Sequence, residues 1–311
     1  MPLEPFRQLP FAEVPEQPRL AHDFTRTAAR TIAIDTPAMG PMSIHVRTLG
    51  QGPPLLLVHG FMTTSYSWRY AIGALAERYT VYAPDLPGAG RSDKPDRSYA
   101  AENLADAIGA IMRALDIVGA PVVGNSLGGY LCMRLALREP TIMARLVNLH
   151  SPGVPTARNW ALKTALALTP FAGRLVRHLV WRDPERWVHK NVHYWDESLK
   201  SREEHREYAA PLRTPEGVRA FERMLRETFE PRAMSAFLGA LRRRKDRGER
   251  FPIPLQLVYA KADPMVPPSV GARLRELVPD ALFVELERGS HFAHVDAPDL
   301  FLAAVRPFLE A

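Results

Sequence analysis

The fold of this 311-residue chain is decided by the stretch Gly124-Asn125-Ser126-Leu127-Gly128-Gly129. An apolar run at 120–123 precedes it, and a segment with helical character at 131–139 follows it. This order predicts that Ser126 lies on a turn between a buried strand and a helix. Because the flanking glycines let strand and helix approach closely, the serine hydroxyl is expected to project into open space. A turn whose serine only caps the helix is the alternative.

Composition predicts a soluble globular protein with a large core, since 46% of the residues are hydrophobic. Residues 1–30 are rich in proline and contain no apolar run of signal-peptide length, and no later segment is long enough to cross a membrane. We therefore expect a cytoplasmic protein without a membrane span, either a monomer or a homodimer. The single cysteine, Cys132, excludes an intramolecular disulfide.

The net charge of +6 raises the question of nucleic-acid binding, and the position of the charge answers it. Residues 153–251 contain 21 Lys and Arg against 13 Asp and Glu, so the excess positive charge lies in this region. The basic residues there alternate with glutamates at helical spacing, which is typical of solvated helix faces with ion pairs. The pattern disfavours a nucleic-acid partner.

The order of elements predicts an α/β fold. Apolar runs predict strands at 31–35, 42–48, 53–58, 80–83, 120–123, 144–149, 255–259 and 282–286. Helical patterns lie at 68–78, 102–115, 131–139, 270–278 and 298–309. Their alternation predicts a doubly wound, mostly parallel sheet of about eight strands. We expect core residues 1–152, with a surface arm at 1–30, then a helical insertion at 153–251 after the sixth strand, and core residues 252–311.

The loops after the last two predicted strands supply what a serine nucleophile needs. A serine hydroxyl is a weak nucleophile at neutral pH, so it requires a base, an orienting acid and donors for a developing oxyanion. Asp263 follows the strand at 255–259, and His291 follows the strand at 282–286. The order Ser126, Asp263, His291 is expected when the three groups lie at the carboxyl ends of strands in such a sheet.

Five motifs give the chain a specific resemblance. They are His59-Gly60-Phe61, Asp85-x-x-Gly88-x-Gly90-x-Ser92, the Ser126 turn, Asp263-x-x-Val266-Pro267 and Gly289-x-His291. In their order and spacing the chain resembles the α/β-hydrolase fold family over residues 31–311. It is similar to the capped group of that family, which contains epoxide hydrolases, haloalkane dehalogenases, C–C bond hydrolases and esterases. The insertion at 153–251 resembles the cap of that group.

The resemblance implies a role for each matching residue. Ser126 is the expected nucleophile, His291 the general base and acid, and Asp263 the group that orients the imidazole. The backbone N–H groups of Phe61 and Leu127 are the expected oxyanion hole. The expected substrate pocket contains Met62, Trp68, Asn125, Trp160, Met265, Val266 and Phe292.

Several polar residues near these motifs are expected to have structural roles. His59 resembles the motif histidine that orients the oxyanion loop, and Asp85 and Asp93 are interpreted as acceptors that fix a loop. Asp296 is interpreted as a cap of the final helix. His294, one helical turn beyond His291, is expected to support the site without taking part in the chemistry.

No motif indicates a metal or another cofactor. His189 and His193 have the spacing of zinc ligands on a helix, but Lys190 occupies the position of the glutamate in H-E-x-x-H, and no third ligand is indicated. We therefore expect catalysis without a metal.

The type of nucleophile restricts the reaction. Capped epoxide hydrolases and haloalkane dehalogenases use a carboxylate, whose alkylation gives a hydrolysable ester, whereas an alkylated serine would be an ether that water does not open. Ester, C–C bond and amide hydrolysis and acyl transfer remain. We favour a carboxylesterase for small to medium apolar acyl groups, since the insertion carries Trp160, Trp181, Trp187, Trp195, Phe171 and Tyr194.

Two alternatives stay open. Asn125 is compatible with C–C bond hydrolases of the meta-cleavage-product type, although Phe292 stands where many of them have tryptophan. A hydrolase-like receptor, which binds a ligand in the same cavity, is the other alternative.

Overall fold

The computed structural model of the protein describes residues 4–168 and 172–311. Within them, an eight-stranded sheet lies at the centre. In chain order the strands are β1 (Ala28–Thr36), β2 (Gly40–Leu49), β3 (Pro54–Val58), β4 (Thr80–Pro84), β5 (Val122–Asn125), β6 (Leu146–Leu149), β7 (Leu255–Ala260) and β8 (Leu282–Leu286). Their spatial order is β1-β2-β4-β3-β5-β6-β7-β8, and β2 runs opposite to the others. The predicted α/β class with a doubly wound, mostly parallel sheet is confirmed.

Helices cover both faces of the sheet. In the part of the chain that the structure describes, the α-helices are α1 (Ile72–Ala76), α2 (Ala101–Ala114), α3 (Leu127–Arg138), α4 (Ala157–Leu168), α5 (Ala172–Arg182), α6 (Pro184–Asn191), α7 (Arg202–Ala209), α8 (Pro215–Glu227), α9 (Pro231–Asp246), α10 (Pro268–Leu277), α11 (Ala293–Asp296) and α12 (Pro298–Glu310). The helix predicted at 68–78 is instead a 3₁₀ turn, Ser65–Trp68, followed by the short α1. Thr64 accepts a hydrogen bond from the Tyr66 N–H and so fixes the start of that turn.

The core consists of two apolar layers separated by the sheet. Leu56 and Val58 of β3 belong to the layer under α2, α3 and α10, and Leu55 and Leu57 belong to the layer under α1 and α12. Alternate residues of a strand point to opposite faces, so an entirely apolar β3 fills both layers. Full burial of each such leucine contributes roughly 1.5 to 3 kcal/mol to the free energy of unfolding.

Among the described residues between β6 and β7 there are six α-helices, α4 to α9, and we call them the inserted helices. The predicted limits, residues 153 and 251, fall in the connections that flank them. Pro184, Pro215 and Pro231 each occupy the first turn of a helix, where the missing N–H costs no hydrogen bond. The sequence predicts that prolines break the helical stretches of this region, and each of these three does so by starting a new helix. Pro170, another predicted break, lies outside the described residues.

The N-terminal arm packs on the inserted helices. The Phe11 ring stacks on His205 of α7 at a centroid distance of 5.7 Å. The backbone N–H of Arg202 donates to the Pro15 carbonyl at 2.8 Å, and the backbone N–H of Glu203 donates to the Glu16 carbonyl at 3.1 Å. The arm therefore holds α7 in place from outside.

A buried ion pair joins the same helix to the core. Arg69, which follows the 3₁₀ turn, pairs with Glu204 of α7, and neither side chain is exposed to solvent. Arg69 also lies over the rings of Tyr66 and Tyr70, at 4.8 and 4.6 Å from their centroids. Breaking such a pair on one side leaves an uncompensated buried charge.

Strands β3, β5, β6, β7 and β8 run parallel, so their carboxyl ends meet at one edge of the sheet. This edge is where open α/β sheets bind ligands. Among the described residues, no helix combines the length and the apolar character needed to cross a membrane.

Candidate active site

Ser126 lies on a strained turn at the carboxyl edge of the sheet. Strand β5 ends at Asn125 and α3 begins at Leu127, so the serine is the one residue between strand and helix. Its backbone has φ 52° and ψ −117°, a region that non-glycine residues rarely occupy. Its N–H donates to the Leu149 carbonyl of β6 at 2.7 Å. The geometry is that of the predicted strand-to-helix turn.

The turn depends on close approach of its backbone segments. A Cβ atom added to Gly124 would lie 2.6 Å from the Gly129 nitrogen, and one added to Gly128 would meet the Val58 carbonyl of β3. Neither glycine has a positive φ. Space, and not an unusual backbone angle, therefore requires glycine at these two positions.

Asp263 and His291 form a buried pair at the same edge. The Nδ1 atom of His291 lies 2.7 Å from Oδ2 of Asp263. The other carboxylate oxygen, Oδ1, accepts the N–H groups of Met265 at 2.7 Å and of Val266 at 2.9 Å. With both oxygens engaged, the carboxylate has one orientation, and one oxygen is directed at the imidazole.

The pair also determines the charge of Asp263. Burial is the largest single influence and raises the pKa of its carboxyl, but the opposing influences, led by the charge and hydrogen bond of His291 and including the Val266 N–H, bring the net pKa below the usual value. Asp263 is therefore ionised at neutral pH and can hold the Nδ1–H of the imidazole.

Two backbone N–H groups close to Ser126 have no acceptor in the part of the chain that the structure describes. Leu127 is the first residue of α3, so its N–H has no acceptor within the helix. Within residues 4–168 and 172–311, the N–H of Phe61 also has no acceptor. A Cβ atom on Gly60 would lie 3.1 Å from Cβ of Ser126, which shows how closely the 59–62 loop approaches the serine.

Hydrogen bonds hold that loop in place. The Nε2 atom of His59 accepts the Leu86 N–H at 2.9 Å, so Nδ1 carries the proton and donates to the Gly60 carbonyl at 2.8 Å. Met62 has a positive φ of 64°. His59 thus has the expected geometry for orienting the loop.

Asp85 and Asp93 also accept backbone hydrogen bonds, as expected. Asp85 binds the N–H groups of Ser65 and Arg91, each at 2.8 Å, and Asp93 binds that of Ser43 at 2.7 Å. Both carboxylates therefore fix loops.

Asp296 does not cap the final helix, and this interpretation was wrong. Helix α12 has no side-chain cap. The Asp296 carboxylate instead accepts the N–H of Trp195, at 2.6 Å, and that of Ser290, at 3.2 Å. Burial raises its pKa to about 6. Asp296 therefore connects Trp195 of the insertion to Ser290, the residue before His291.

The expected pocket residues fall into different environments. Met62, Met265 and Phe292 lie in one apolar cluster with residues of the inserted helices, among them Phe221 and Trp187. They are the expected residues that the structure brings together above the site.

The other expected pocket residues lie elsewhere. Asn125 is fully buried, and its Nδ2 donates to the His291 carbonyl at 3.0 Å. Val266 packs in the core under α10. Trp68 is also fully buried, with its ring centroid 4.3 Å from that of His294, and Trp160 is 43% exposed on α4. The expectation that Trp68 and Trp160 line the pocket was wrong, because the Trp68 ring is enclosed by the core and Trp160 faces solvent.

The tryptophans of the insertion do not all surround the site. Trp181 is 49% exposed, and Trp195 packs against Phe6 of the arm at a centroid distance of 5.6 Å. Trp187, in contrast, joins the apolar cluster that contains Met62, Met265 and Phe292. Phe171 lies outside the described residues.

The spaced histidines of the insertion are engaged elsewhere. His189 Nε2 lies 3.0 Å from the Leu9 carbonyl, and His193 Nδ1 lies 3.3 Å from Glu197. These contacts give both histidines a structural role. His294 is fully buried against Trp68, in the core beneath the site.

His150 is a residue of this site that the motifs did not predict. It directly follows β6, is fully buried, and has a φ of 54°. Its ring centroid lies 5.7 Å from that of His291, and burial lowers its pKa to about 4. Its position at the end of a central parallel strand was the available signal.

A family model described as "alpha/beta hydrolase fold" matches residues 53–298. The match covers well over half of the chain, so the chain belongs to the α/β hydrolase fold family.

Similar proteins include hydrolases of more than one kind. A pimeloyl-[acyl-carrier protein] methyl ester esterase of Aeromonas hydrophila is 28% identical over 274 residues, which cover 86% of this chain and 100% of the relative. A 2-hydroxymuconate semialdehyde hydrolase of Pseudomonas putida is 26% identical over 263 residues, which cover 84% of this chain and 88% of the relative. A solved meta-cleavage product hydrolase from Pseudomonas fluorescens IP01 has a TM-score of 0.67 and 27% identity, covering 90% of this chain and 97% of that one. These similarities imply a hydrolase.

Proposed function

We propose that the protein is a serine hydrolase that cleaves carboxylic esters of small to medium apolar acyl groups. The observation that carries the proposal is the buried Asp263–His291 pair, which lies at the same sheet edge as Ser126, the residue between β5 and α3. A nucleophile after β5, an oriented acid after β7 and a base after β8, all at one edge of the sheet, are the parts that acyl transfer requires.

In the first half of the reaction, Ser126 Oγ attacks the ester carbonyl as His291 Nε2 takes the hydroxyl proton. The carbonyl oxygen becomes an oxyanion, which the N–H groups of Phe61 and Leu127 stabilise. Asp263 keeps the Nδ1–H of His291 in place and stabilises the imidazolium. The imidazolium then protonates the leaving alkoxide, and the acyl group remains on Ser126.

In the second half, His291 removes a proton from water, whose oxygen attacks the acyl carbonyl. The second tetrahedral intermediate uses the same two N–H donors. When it collapses, His291 returns the proton to Ser126 Oγ and the carboxylic acid leaves. No step requires a metal.

The preference for apolar acyl groups rests on the residues above the site. Phe61 stacks on Phe221 of α8 at 5.1 Å, and its edge meets Phe229 at 5.6 Å. Met62, Met265 and Phe292 belong to the same apolar region. We propose that the inserted helices are a cap that closes this region over the acyl chain.

Hydrolysis of a C–C bond is the second candidate, and the similarity to the 2-hydroxymuconate semialdehyde hydrolase favours it. Such a substrate carries a carboxylate and an enol in place of the alcohol of an ester. The basic excess of the insertion could attract this anion. The apolar contacts of Phe61 and Phe292 favour the ester.

The test compares p-nitrophenyl esters of increasing acyl length with a 2-hydroxy-6-oxodienoate. We expect kcat/KM to rise roughly fourfold for each methylene that the pocket buries, which corresponds to about 0.8 kcal/mol, and then to fall for long chains. A higher kcat/KM for the dienoate would favour the second candidate. A single burst without turnover would indicate a receptor, and activity lost on adding a chelator would contradict a metal-free reaction.

A further inference from the structure

His150 lies where β6 ends beside β7, and its side chain continues the hydrogen bonding of the sheet. The backbone N–H of His150 donates to the Val258 carbonyl at 2.9 Å, as expected in a parallel ladder. If the ladder continued, the carbonyl of residue 150 would accept the Ala260 N–H. The backbone turns away at the positive φ of His150, and the imidazole Nε2 accepts that N–H instead, at 2.7 Å.

This hydrogen bond defines the state of the imidazole. A backbone N–H can only donate, so Nε2 is unprotonated and the proton lies on Nδ1. Burial lowers the pKa of His150 to about 4, so the ring is neutral at the pH where an esterase works. The ring remains an acceptor under those conditions.

The bonded residue begins the loop that carries Asp263. Ala260 is the last residue of β7, and its carbonyl accepts the Asp263 N–H at 3.4 Å. The His150 imidazole therefore fixes the peptide from which the loop departs. It also lies beside the imidazole that Asp263 orients, at a centroid distance of 5.7 Å.

We propose that His150 is a positioning residue, whose Nε2 acceptor holds the end of β7 so that the Asp263 carboxylate meets Nδ1 of His291. The role in turnover rests on the proposed function, whereas the geometric role does not. A misplacement of about 1 Å at a reacting group can reduce the rate about 100-fold, so a hydrogen bond that fixes the backbone three residues before the acid affects turnover.

The test uses variants that differ in whether they supply the acceptor. In His150→Gln, Oε1 occupies nearly the position of Nε2. In His150→Asn, the oxygen stops short, and in His150→Met there is none. Asparagine also tolerates a positive φ, so it removes the acceptor at little backbone cost. His205→Met is the matched control, since His205 is equally buried in α7 but lies against Phe11.

Two measurements are made on each folded variant. The first is the low-field proton NMR resonance of the His291 Nδ1–H, which reports its hydrogen bond to Asp263 without any substrate. The second is kcat and KM for a p-nitrophenyl ester. We expect His150→Met and His150→Asn to lose or shift the resonance and to reduce kcat about 10- to 100-fold, with KM changed less. His150→Gln should recover most of both, and His205→Met should match the wild type.

Each outcome bears on the inference. An unchanged resonance in His150→Asn would overturn it, and so would a His150→Gln variant as defective as His150→Asn. If the variants differ from the wild type in the His291 resonance as expected, but the wild type hydrolyses no ester, the positioning role stands and the proposed function fails.

Discussion

Replacing Asp263 with asparagine should invert the hydrogen bonding of His291, and the structure determines the direction. An amide has one acceptor oxygen and one donor NH₂ group. The N–H groups of Met265 and Val266, at 2.7 and 2.9 Å from Oδ1, require the oxygen at that position. The NH₂ group must then face Nδ1 of His291, at the place of the present 2.7 Å contact.

A donor at that place demands that Nδ1 accept, which moves the imidazole proton to Nε2. A protonated Nε2 cannot take the proton of Ser126. Such a tautomer change reduces kcat about 10⁴-fold in a triad, equivalent to about 5 kcal/mol of transition-state stabilisation. We expect a loss of this size for Asp263→Asn, with little change in KM.

The assay is steady-state hydrolysis of p-nitrophenyl butyrate, with thermal unfolding measured on the same samples. Asp280→Asn is the matched control, because Asp280 also accepts a backbone N–H, that of Phe251 at 3.1 Å, but lies away from the triad. It should retain the wild-type kcat. A loss of less than tenfold in Asp263→Asn, in a folded protein, would refute the assignment of Asp263.

Two further predictions concern the oxyanion loop and the buried histidine. Gly60→Ala places a Cβ atom 2.9 Å from Oδ1 of Asn125 and 3.1 Å from Cβ of Ser126, so the oxyanion loop must move. The kcat for a p-nitrophenyl ester should therefore fall about 10²- to 10³-fold. Gly239→Ala on α9 is the control and should leave kcat unchanged. The unfolded chain binds a proton at His150 near its ordinary pKa of 6.5 and the folded chain near 4, so this contribution to stability is complete above pH 6.5 and is lost as the pH falls towards 4. The free energy of unfolding, measured with denaturant, should therefore fall between pH 7 and pH 4.5 by about 2 to 3 kcal/mol less in His150→Gln than in the wild type. An equal fall in the two proteins would contradict a buried neutral imidazole.

Patterns that repeat within one element predicted the fold. The apolar spacing of Leu104, Ile108 and Ile111 identified α2, and all three residues are buried. The run at 53–58 identified β3, whose leucines fill both layers of the core. Such signals need only local sequence, because burial against the sheet follows from the periodicity of the element.

Contacts between distant segments could not be predicted in the same way. Asp296 precedes α12 in sequence and has a capping residue type, but its partner is the N–H of Trp195, 101 residues away. Trp68 and Trp160 have similar chemistry, yet one lies in the core and the other in solvent. His150 has no motif at all, since its role arises from where β6 stops relative to β7. Each depends on the tertiary arrangement and not on residue type.

The central claim is that Ser126 is the nucleophile, and covalent labelling tests it most directly. The protein is treated with a p-nitrophenyl alkylphosphonate, digested, and examined by mass spectrometry, with Ser126→Ala as the control. We expect one equivalent of phosphonate on Ser126 in the wild type, together with loss of ester hydrolysis. The folded alanine variant should take up no label. Labelling of another serine, or ester turnover in Ser126→Ala at the wild-type rate, would contradict the proposed mechanism.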